Sequence, residues 1–277
     1  MKKTIVIIGG TGGIGHATAI ALARQGHDII FQGRDAEKGR KIVGELSKIN
    51  GSTAKFIVAD VSTINGIKTL ASEIKKLTNK IDILIHSNGT FNYERRETKD
   101  GLNESFTVNY LCKFMLDHIL LEELKKGEGR IIIVGVPLMK NAAINFDDLQ
   151  MKAKYSFMKS RSQNMLAVHM HAQEFSKRNN LIPINIINPG FVKTGIYRNL
   201  KGLMKFFMRV VELLIGNSSE AAIVNIIELA ETDLKESGYF YPKVAKPSVK
   251  EKINLDASIV SKLWYESMNI SRLESKE

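Results

Sequence analysis

The chain is poor in cysteine and has no long apolar run, and each shortage excludes a class of protein. Cys112 is the only cysteine, so no intramolecular disulfide can form, which fits a reducing compartment. The apolar run at residues 4–8 ends at Gly9, far short of a secretory or membrane-spanning segment. We therefore expect a buried first strand there and a cytoplasmic protein.

The charge balance is basic, with a net charge of +11 and a pI near 9.5, which raises the question of nucleic-acid binding. The basic residues are scattered in short pairs such as Lys75-Lys76 and Lys125-Lys126. No basic stripe interleaved with aromatic residues occurs in the sequence. We expect no nucleic-acid partner and interpret these lysines as a solvated surface that also favours phosphate-bearing ligands.

Short β-branched runs alternate with amphipathic segments up to about residue 190. The runs are almost continuously apolar, which is typical of parallel strands covered on both faces. This alternation predicts an α/β fold, a Rossmann-type doubly wound parallel sheet, in a single domain over residues 1–277. The predicted strands are 4–8, 28–32, 54–58, 81–85, 130–134, 182–187 and 238–242. The predicted helices are 13–25, 36–49, 63–78, 100–126, 152–179, one that starts at 217–220, and 256–270.

A glycine loop follows the first predicted strand and opens the first predicted helix. Glycines are needed where the backbone turns tightly and approaches a pyrophosphate, while the amides of the helix N-terminus face the negative charge. The loop therefore predicts a dinucleotide site. Its predicted cofactor-binding residues are Gly9, Thr11, Gly12, Gly13, Ile14 and Gly15.

The residues after the second predicted strand indicate which dinucleotide is bound. An acid at this point holds the ribose 2′-hydroxyl of NAD, whereas an arginine accommodates the 2′-phosphate of NADP. Here Gly33 stands in the acid's place and Arg34 follows it, and we interpret Asp35 as the N-cap of the next helix. We expect NADP(H), with NAD(H) as the alternative.

Tyr155 and Lys159 are four residues apart within a predicted helix. Positions i and i+4 share one face of a helix, so we expect the phenol and the ammonium to point into one cleft. A nearby cation favours the ionised form of a phenol, which makes the pair a proton donor usable near neutral pH. Alone, the pair would also fit an ordinary exposed helix face.

These residues resemble the short-chain dehydrogenase/reductase family over essentially the whole chain. The glycine loop matches the family's Gly-x-x-x-Gly-x-Gly, Tyr155 and Lys159 match its Tyr-x-x-x-Lys, and Asn109 matches its catalytic asparagine. Segments 146–150 and 263–267 resemble the retinol dehydrogenase and WW-domain oxidoreductase branch. Further cofactor contacts implied by the resemblance are Asp60, Val61, Asn88, Gly89, Tyr155, Lys159, Pro189, Gly190, Val192 and Thr194.

The resemblance implies hydride transfer between a nicotinamide and a small apolar alcohol, aldehyde or ketone, with reduction as the expected direction. Tyr155 would be the proton donor, Lys159 would hold the nicotinamide ribose, and Asn109 would hold a water that links Lys159 to solvent. A homodimer or homotetramer is the expected assembly. No metal site is expected.

One part of the family pattern is missing from this chain. No serine or threonine occurs between Val108 and Lys154, and Gly135 or Val136 stands where the family has its catalytic serine. Losing such a hydrogen-bond donor costs about 10²–10³ in rate, unless an asparagine at 141 or 145 or a backbone amide replaces it. The alternative hypothesis is a dinucleotide-binding protein with little or no turnover, acting as a sensor or interaction partner.

Residues 202–216 form an apolar segment bounded by glycines, within an expected substrate-covering segment at about 195–217. Leu203, Phe206 and Val210 have helical spacing and could line an apolar pocket. Packing onto the protein's own core is the plainer alternative. Contact with a membrane surface, helped by Lys201 and Lys205, is a weaker one.

Overall fold

The computed structural model describes residues 1–190, 192, 219–233 and 235–273. The strands of this part are β1 Thr4–Ile8, β2 Asp28–Gly33, β3 Ala54–Val58, β4 Ile83–His86, β5 Arg130–Val134, β6 Ile184–Ile187, β7 Tyr239–Tyr241 and β8 Glu251–Lys252. The helices are α1 Gly13–Arg24, α2 Ala36–Leu46, α3 Ile64–Leu77, α4 Glu104–Phe106, α5 Cys112–Ile119, α6 Leu121–Lys126, α7 Phe157–Arg178, α8 Ser219–Glu231 and α9 Ala257–Ser271. A π-helical turn, Thr107–Leu111, joins α4 to α5.

The eight strands form one sheet in the order β3-β2-β1-β4-β5-β6-β7-β8. All neighbours pair in parallel except β7 and β8, which are antiparallel. The chain runs outward from β1 through β2 to β3, and then returns to the other side of β1 with β4. Doubly wound sheets form their ligand cleft at the carboxyl ends of the strands at such a reversal. The predicted fold is confirmed.

The side chains of β1 divide the core into two layers because successive residues of a strand point to opposite faces. Ile5 and Ile7 pack in the layer covered by α1, α2 and α8, and Val6 and Ile8 pack in the layer covered by α3, α5, α7 and α9. Strands buried on both faces must be apolar throughout, which explains why the sequence pattern of this sheet is so clear.

Three elements differ from the sequence prediction. Helix α7 begins at Phe157 rather than at residue 152, because the Ser156 side chain caps it by accepting from the Lys159 amide. The segment predicted as one helix over 100–126 is divided into α4, a π-helical turn, α5 and α6. Strand β8 was not predicted. The expected substrate-covering segment at 195–217 lies outside the described residues.

None of the described helices is long and apolar enough to cross a membrane.

Candidate active site

A cavity of about 380 Å³ lies at the carboxyl ends of β4, β5 and β6, next to the glycine loop. The loop after β4, the π-helical turn, the segment after β5 and the first half of α7 supply its walls. The described residues that line it are Ile14, Ser87, Asn88, Gly89, Thr90, Phe91, Asn92, Ser105, Asn109, Lys113, Val134, Gly135, Val136, Pro137, Tyr155, Phe157, Ser160, Arg161, Asn164, Met165, Val168, Asn188, Pro189, Gly190 and Val192.

The glycine loop packs directly against the end of β4. Gly9 has a φ of +81°, and a Cβ there would lie 2.8 Å from the backbone of Asn88. A Cβ on Gly15 would lie 2.5 Å from the carbonyl oxygen of Gly9. Side chains at these positions would therefore clash with the backbone that forms the turn, so both positions require glycine. Gly12 and Gly13 complete the entry into α1, whose first-turn amides remain available to an anion.

Gln32 is a residue of this site that sequence reasoning missed. It is buried near the end of β2, where its Oε1 accepts from the Gly9 amide at 3.0 Å and its Nε2 donates to the Ala59 carbonyl at 2.6 Å. The side chain thus joins the glycine loop to the end of β3. A glutamine at the end of an apolar strand, as in Ile30-Phe31-Gln32, was the available signal.

The second strand ends as the NADP prediction requires. A Cβ on Gly33 would meet Cγ2 of Thr11 at 2.5 Å, so the side chain of Thr11 occupies the space that an acid at this position would need. Arg34 is exposed and has no ion pair among the described residues. Asp35 caps α2 by accepting from the Lys38 amide at 3.0 Å, as expected. The exposed guanidinium of Arg34 therefore places a positive charge at the end of β2, next to the Asp35 cap.

The predicted adenine contacts, Asp60 and Val61, follow β3 directly. Val61 is buried in the core, whereas Asp60 is exposed and accepts from the Ser62 amide at 3.0 Å. Neither lines the cavity. Their predicted contact with adenine stays a prediction.

Asn109 and the loop after β4 form one hydrogen-bonded unit. The Oδ1 atom of Asn109 accepts from the Thr90 amide at 2.8 Å, and its Nδ2 donates to the Thr90 carbonyl at 2.9 Å. Asn88 donates to the Val108 carbonyl at 2.8 Å, and a Cβ on Gly89 would lie 3.4 Å from Oδ1 of Asn109. Because both polar atoms of its amide are engaged, Asn109 fixes this wall of the cavity.

The predicted pairing of Tyr155 with Lys159 on one helix face is wrong. Tyr155 precedes the Ser156 cap, so it does not belong to the helix, and the i, i+4 argument fails. The Tyr155 hydroxyl lines the cavity and donates to the Asn92 carbonyl at 2.5 Å. Lys159 is exposed in the first turn of α7 and does not line the cavity.

A different set of residues on α7 faces the cavity. These residues are Ser160, Arg161, Asn164, Met165 and Val168, which recur at the spacing of one helix face. Sequence reasoning missed them because it anchored the helix face on Tyr155. The sequence signal was the location of Ser156, a strong capping residue, directly after the tyrosine.

The wall that ends β5 carries no side-chain hydroxyl. Gly135 and Val136, the two positions assigned to the family's serine, both line the cavity. Neither Asn141 nor Asn145 does, so the two suggested asparagine substitutes are not at the site. The hydroxyls that reach the lining belong to other elements, namely Ser87, Thr90, Ser105, Tyr155 and Ser160.

The segment after β6 closes the cavity on the side predicted to hold the nicotinamide. Pro189, Gly190 and Val192 all line it. Gly190 has a φ of +73°, and its amide donates to Oδ1 of Asn188 at 2.9 Å. The structure thus brings these three predicted residues together with Ile14 and Asn88. Thr194 lies outside the described residues.

Lys113 is a second missed residue and contributes a buried ammonium to the cavity wall. Its Nζ donates to the Asn88 carbonyl at 3.1 Å. Burial lowers the pKa of Lys113 to about 8, since the charged form loses its hydration. The signal in the sequence was a lysine inside the apolar run from Leu111 to Leu116.

Below Lys113, one carboxylate holds two histidines in a fully buried group. Oδ1 of Asp117 accepts from Nε2 of His86 at 2.7 Å, and Oδ2 accepts from Nε2 of His171 at 2.7 Å. Burial opposes ionisation of Asp117, but the two imidazoles prevail and lower its pKa to about 2. Burial also lowers the pKa of His86, although Asp117 opposes this shift. The group ties β4, α5 and α7 together beneath the cavity.

Two further buried histidines make stability depend on pH. Burial lowers the pKa of His118 and of His169 from 6.5 to about 4. As the pH falls below 6.5, these two histidines become protonated in the unfolded chain, whereas in the folded protein they do so only near pH 4. The free energy of unfolding is therefore highest above pH 6.5 and decreases as the pH falls. We expect the free energy of unfolding in urea to drop by several kcal/mol over this interval.

The control for this titration is His118→Phe, which keeps an aromatic ring against Phe114 and Trp264. The variant should show a shallower pH dependence than the wild type. An unchanged slope would contradict the assignment of this effect to His118.

No group of three or more metal-ligating side chains occurs within the described residues.

The family model for short chain dehydrogenases matches residues 3–201. The chain belongs to the short-chain dehydrogenase family. Among its relatives, the polyprenol dehydrogenase of Homo sapiens is 26% identical over 280 residues, which cover 97% of this chain and 85% of the relative. The retinol dehydrogenase 13 of Homo sapiens is 28% identical over 293 residues, with coverage of 99% and 86%. These relatives confirm the predicted retinol dehydrogenase branch.

A solved structure places this short-chain dehydrogenase in the same fold. The alcohol dehydrogenase of Thermococcus sibiricus, in complex with 5-hydroxy-NADP, superposes with a TM-score of 0.68 at 18% identity. The alignment covers 91% of this chain and 100% of that one. The family is one of oxidoreductases, and these relatives lend no support to the alternative of a dinucleotide-binding protein without turnover.

Proposed function

We propose that this short-chain dehydrogenase transfers a hydride between NADP(H) and a small apolar alcohol, aldehyde or ketone, with reduction as the working direction. One observation carries the proposal: the glycine loop, the segment Asn188–Gly190 and the hydroxyl of Tyr155 all border the same cavity. The loop has the shape that a pyrophosphate requires. The cavity beyond it has mainly apolar and aromatic walls, suited to an apolar carbonyl compound.

The residues present fit the dinucleotide. Gly9, Gly13 and Gly15 would hold the pyrophosphate, and Arg34 the 2′-phosphate of the adenosine ribose. Pro189, Gly190 and Val192 would face the nicotinamide end. When bound, the nicotinamide supplies or accepts the hydride. The bound 5-hydroxy-NADP of the Thermococcus sibiricus alcohol dehydrogenase supports the choice of NADP.

Tyr155 is the proposed proton donor to the developing alkoxide. Its phenol lines the cavity, and the Asn92 carbonyl fixes its hydroxyl. Asn109 holds the loop that carries Asn92, through its paired bonds to Thr90. Lys159 is exposed and outside the cavity lining, and its predicted contact with the nicotinamide ribose stays a prediction. Retinol and polyprenol, the alcohols in the names of two relatives, are apolar compounds, and this supports an apolar substrate here.

Arg34 provides the test of cofactor choice. We expect NADPH to bind at least tenfold tighter than NADH in a fluorescence titration, because only NADPH carries a phosphate for the guanidinium. In Arg34→Leu the two affinities should become similar, through weaker NADPH binding and unchanged NADH binding.

Arg24→Leu is the matched control, since it removes the same charge at the opposite end of α1 from the glycine loop. It should leave the preference intact. If Arg34→Leu retained the full preference for NADPH, this arginine would not be the residue that selects the phosphate.

A cytoplasmic location and a homodimeric or homotetrameric assembly remain part of the proposal. Both follow from composition and family resemblance.

A further inference from the structure

The cavity-facing turn of α7 presents three polar side chains with hydrogens to donate. Ser160 and Asn164 are buried, with 3% and 1% of their surfaces exposed, and Arg161 lies between them. All three line the cavity. Asn164 lies three residues after Arg161 and four after Ser160, so it neighbours both of them on the helix surface.

Arg161 brings a positive charge that no described side chain neutralises. Its Cζ atom lies 5.8 Å from the centroid of the Phe91 ring, which holds the guanidinium at the wall by a cation–π contact. None of the described residues that line the cavity is an aspartate or a glutamate. Arg95 and Arg178, by contrast, pair with Glu97 and Glu174.

Asn164 brings a buried donor that lacks an acceptor. Its Nδ2 atom has no hydrogen-bond partner among the described residues. A buried amide without a partner costs stability because it has lost its hydrogen bonds to water. A ligand that supplies an oxygen at this position would repay that cost.

The rest of this wall is aromatic. Phe157 packs edge-on against Phe91 at a centroid distance of 5.9 Å, and Tyr155 and Pro137 complete the lining nearby. A ligand at this end would therefore need an apolar body next to a group that accepts hydrogen bonds and carries negative charge.

We propose that Ser160, Arg161 and Asn164 bind an oxyanion, a carboxylate or a phosphate ester, carried by the apolar substrate. The inference rests on the proposed function and narrows its substrate class to apolar carbonyls or alcohols with an anionic group. The anion site lies on α7 and is separate from the glycine loop, so it is not the site of the cofactor's own phosphates. Arginine suits this task because its planar fork matches both oxyanions in a bidentate geometry.

The test measures binding, by calorimetry, to full-length protein saturated with NADP⁺. The probes are decanoate, decyl phosphate and decanol, which share an apolar chain and differ in the head group. We expect at least one of the two anions to bind tenfold or more tightly than decanol. Arg161→Gln should remove that preference, because the neutral amide lacks the charge and the fork of donors that strengthen hydrogen bonds to an anion.

Two further variants separate ligand binding from a structural role. Asn164→Leu should weaken binding of the anion and leave thermal stability equal or higher, because it replaces an unpartnered buried amide by an apolar group. Lys177→Gln removes one exposed positive charge from the far end of the same helix and should leave the preference unchanged.

Equal binding of all three probes, or a preference that survives Arg161→Gln, would overturn the proposal. A preference for decanoate alone would identify a carboxylate substrate, and one for decyl phosphate alone a phosphate ester. These binding measurements require no turnover. If the protein prefers an anion but reduces no carbonyl compound, the result supports the anion site and contradicts the proposed reaction.

Discussion

Replacing Tyr155 by phenylalanine is expected to lower kcat/KM for NADPH-dependent reduction by about 10²–10⁴, the usual worth of a positioned proton donor. The change removes only the hydroxyl that donates to the Asn92 carbonyl at the cavity wall. Lys159→Met should cost no more than a few-fold, because the ammonium is exposed and outside the cavity. Steady-state rates with NADPH and an accepted aldehyde or ketone measure both variants.

Tyr93→Phe is the matched control for the loss of a phenol. Its ring stacks on Phe157 at a centroid distance of 4.4 Å, and its hydroxyl does not line the cavity. Its activity should equal that of the wild type. A loss in Lys159→Met as large as that in Tyr155→Phe would show that the two residues act as the pair first expected from their spacing.

Replacing Asp117 by alanine is expected to lower the free energy of unfolding by about 3–5 kcal/mol, the typical cost of breaking a buried charged pair. Both carboxylate oxygens accept from imidazole rings, and all three side chains are fully buried. The change leaves the Nε2 donors of His86 and His171 without an acceptor and opens a cavity. Urea unfolding followed by circular dichroism measures the effect.

Asp117→Asn is expected to be less damaging, at roughly 1–3 kcal/mol. The amide oxygen can still accept from one histidine, and the amide nitrogen can donate to the other if that ring moves its proton to Nδ1. Asp256→Asn serves as a control, since asparagine caps a helix about as well as aspartate does at α9. A single hydrogen bond contributes about 1 kcal/mol to stability. An Asp117→Ala protein whose free energy of unfolding lies within that amount of the wild-type value would contradict this role of Asp117.

The sheet and the glycine loop were predictable because their sequence signals are local and reinforce one another. Parallel strands covered on both faces are almost continuously apolar, so the runs 4–8 and 130–134 could be placed to the residue. The loop after β1 needs glycine for steric reasons that hold whatever surrounds it. Asp35 could be assigned as a cap from its position alone.

The face of α7 that lines the cavity could not be predicted, because a spacing of four residues has meaning only inside a helix. Tyr155 and Lys159 lie on either side of the Ser156 cap, so their spacing says nothing about a shared face. Helix α7 starts a few residues later than expected, and the positions that face the cavity include Arg161 and Met165. Helix boundaries depend on capping and on tertiary packing, which periodicity does not report.

The missing serine, in contrast, could be recognised from the sequence, and the structure adds where the two residues in its place lie. The two residues in its place, Gly135 and Val136, line the cavity without a hydroxyl. The polar groups that could face a substrate oxygen come instead from Tyr155 and from the turn Ser160–Asn164. The latter could be recognised only after α7 had been placed against the loop that carries Phe91.

The most direct test of the proposed hydride transfer uses NADPH deuterated at the transferred position of the nicotinamide ring. The protein is incubated with it and a panel of apolar aldehydes and ketones, with and without carboxylate or phosphate groups, and the products are analysed by mass spectrometry. The proposal predicts that deuterium appears on the former carbonyl carbon of at least one product and is lost in Tyr155→Phe. NADPH that binds tightly while no member of the panel acquires deuterium would contradict it.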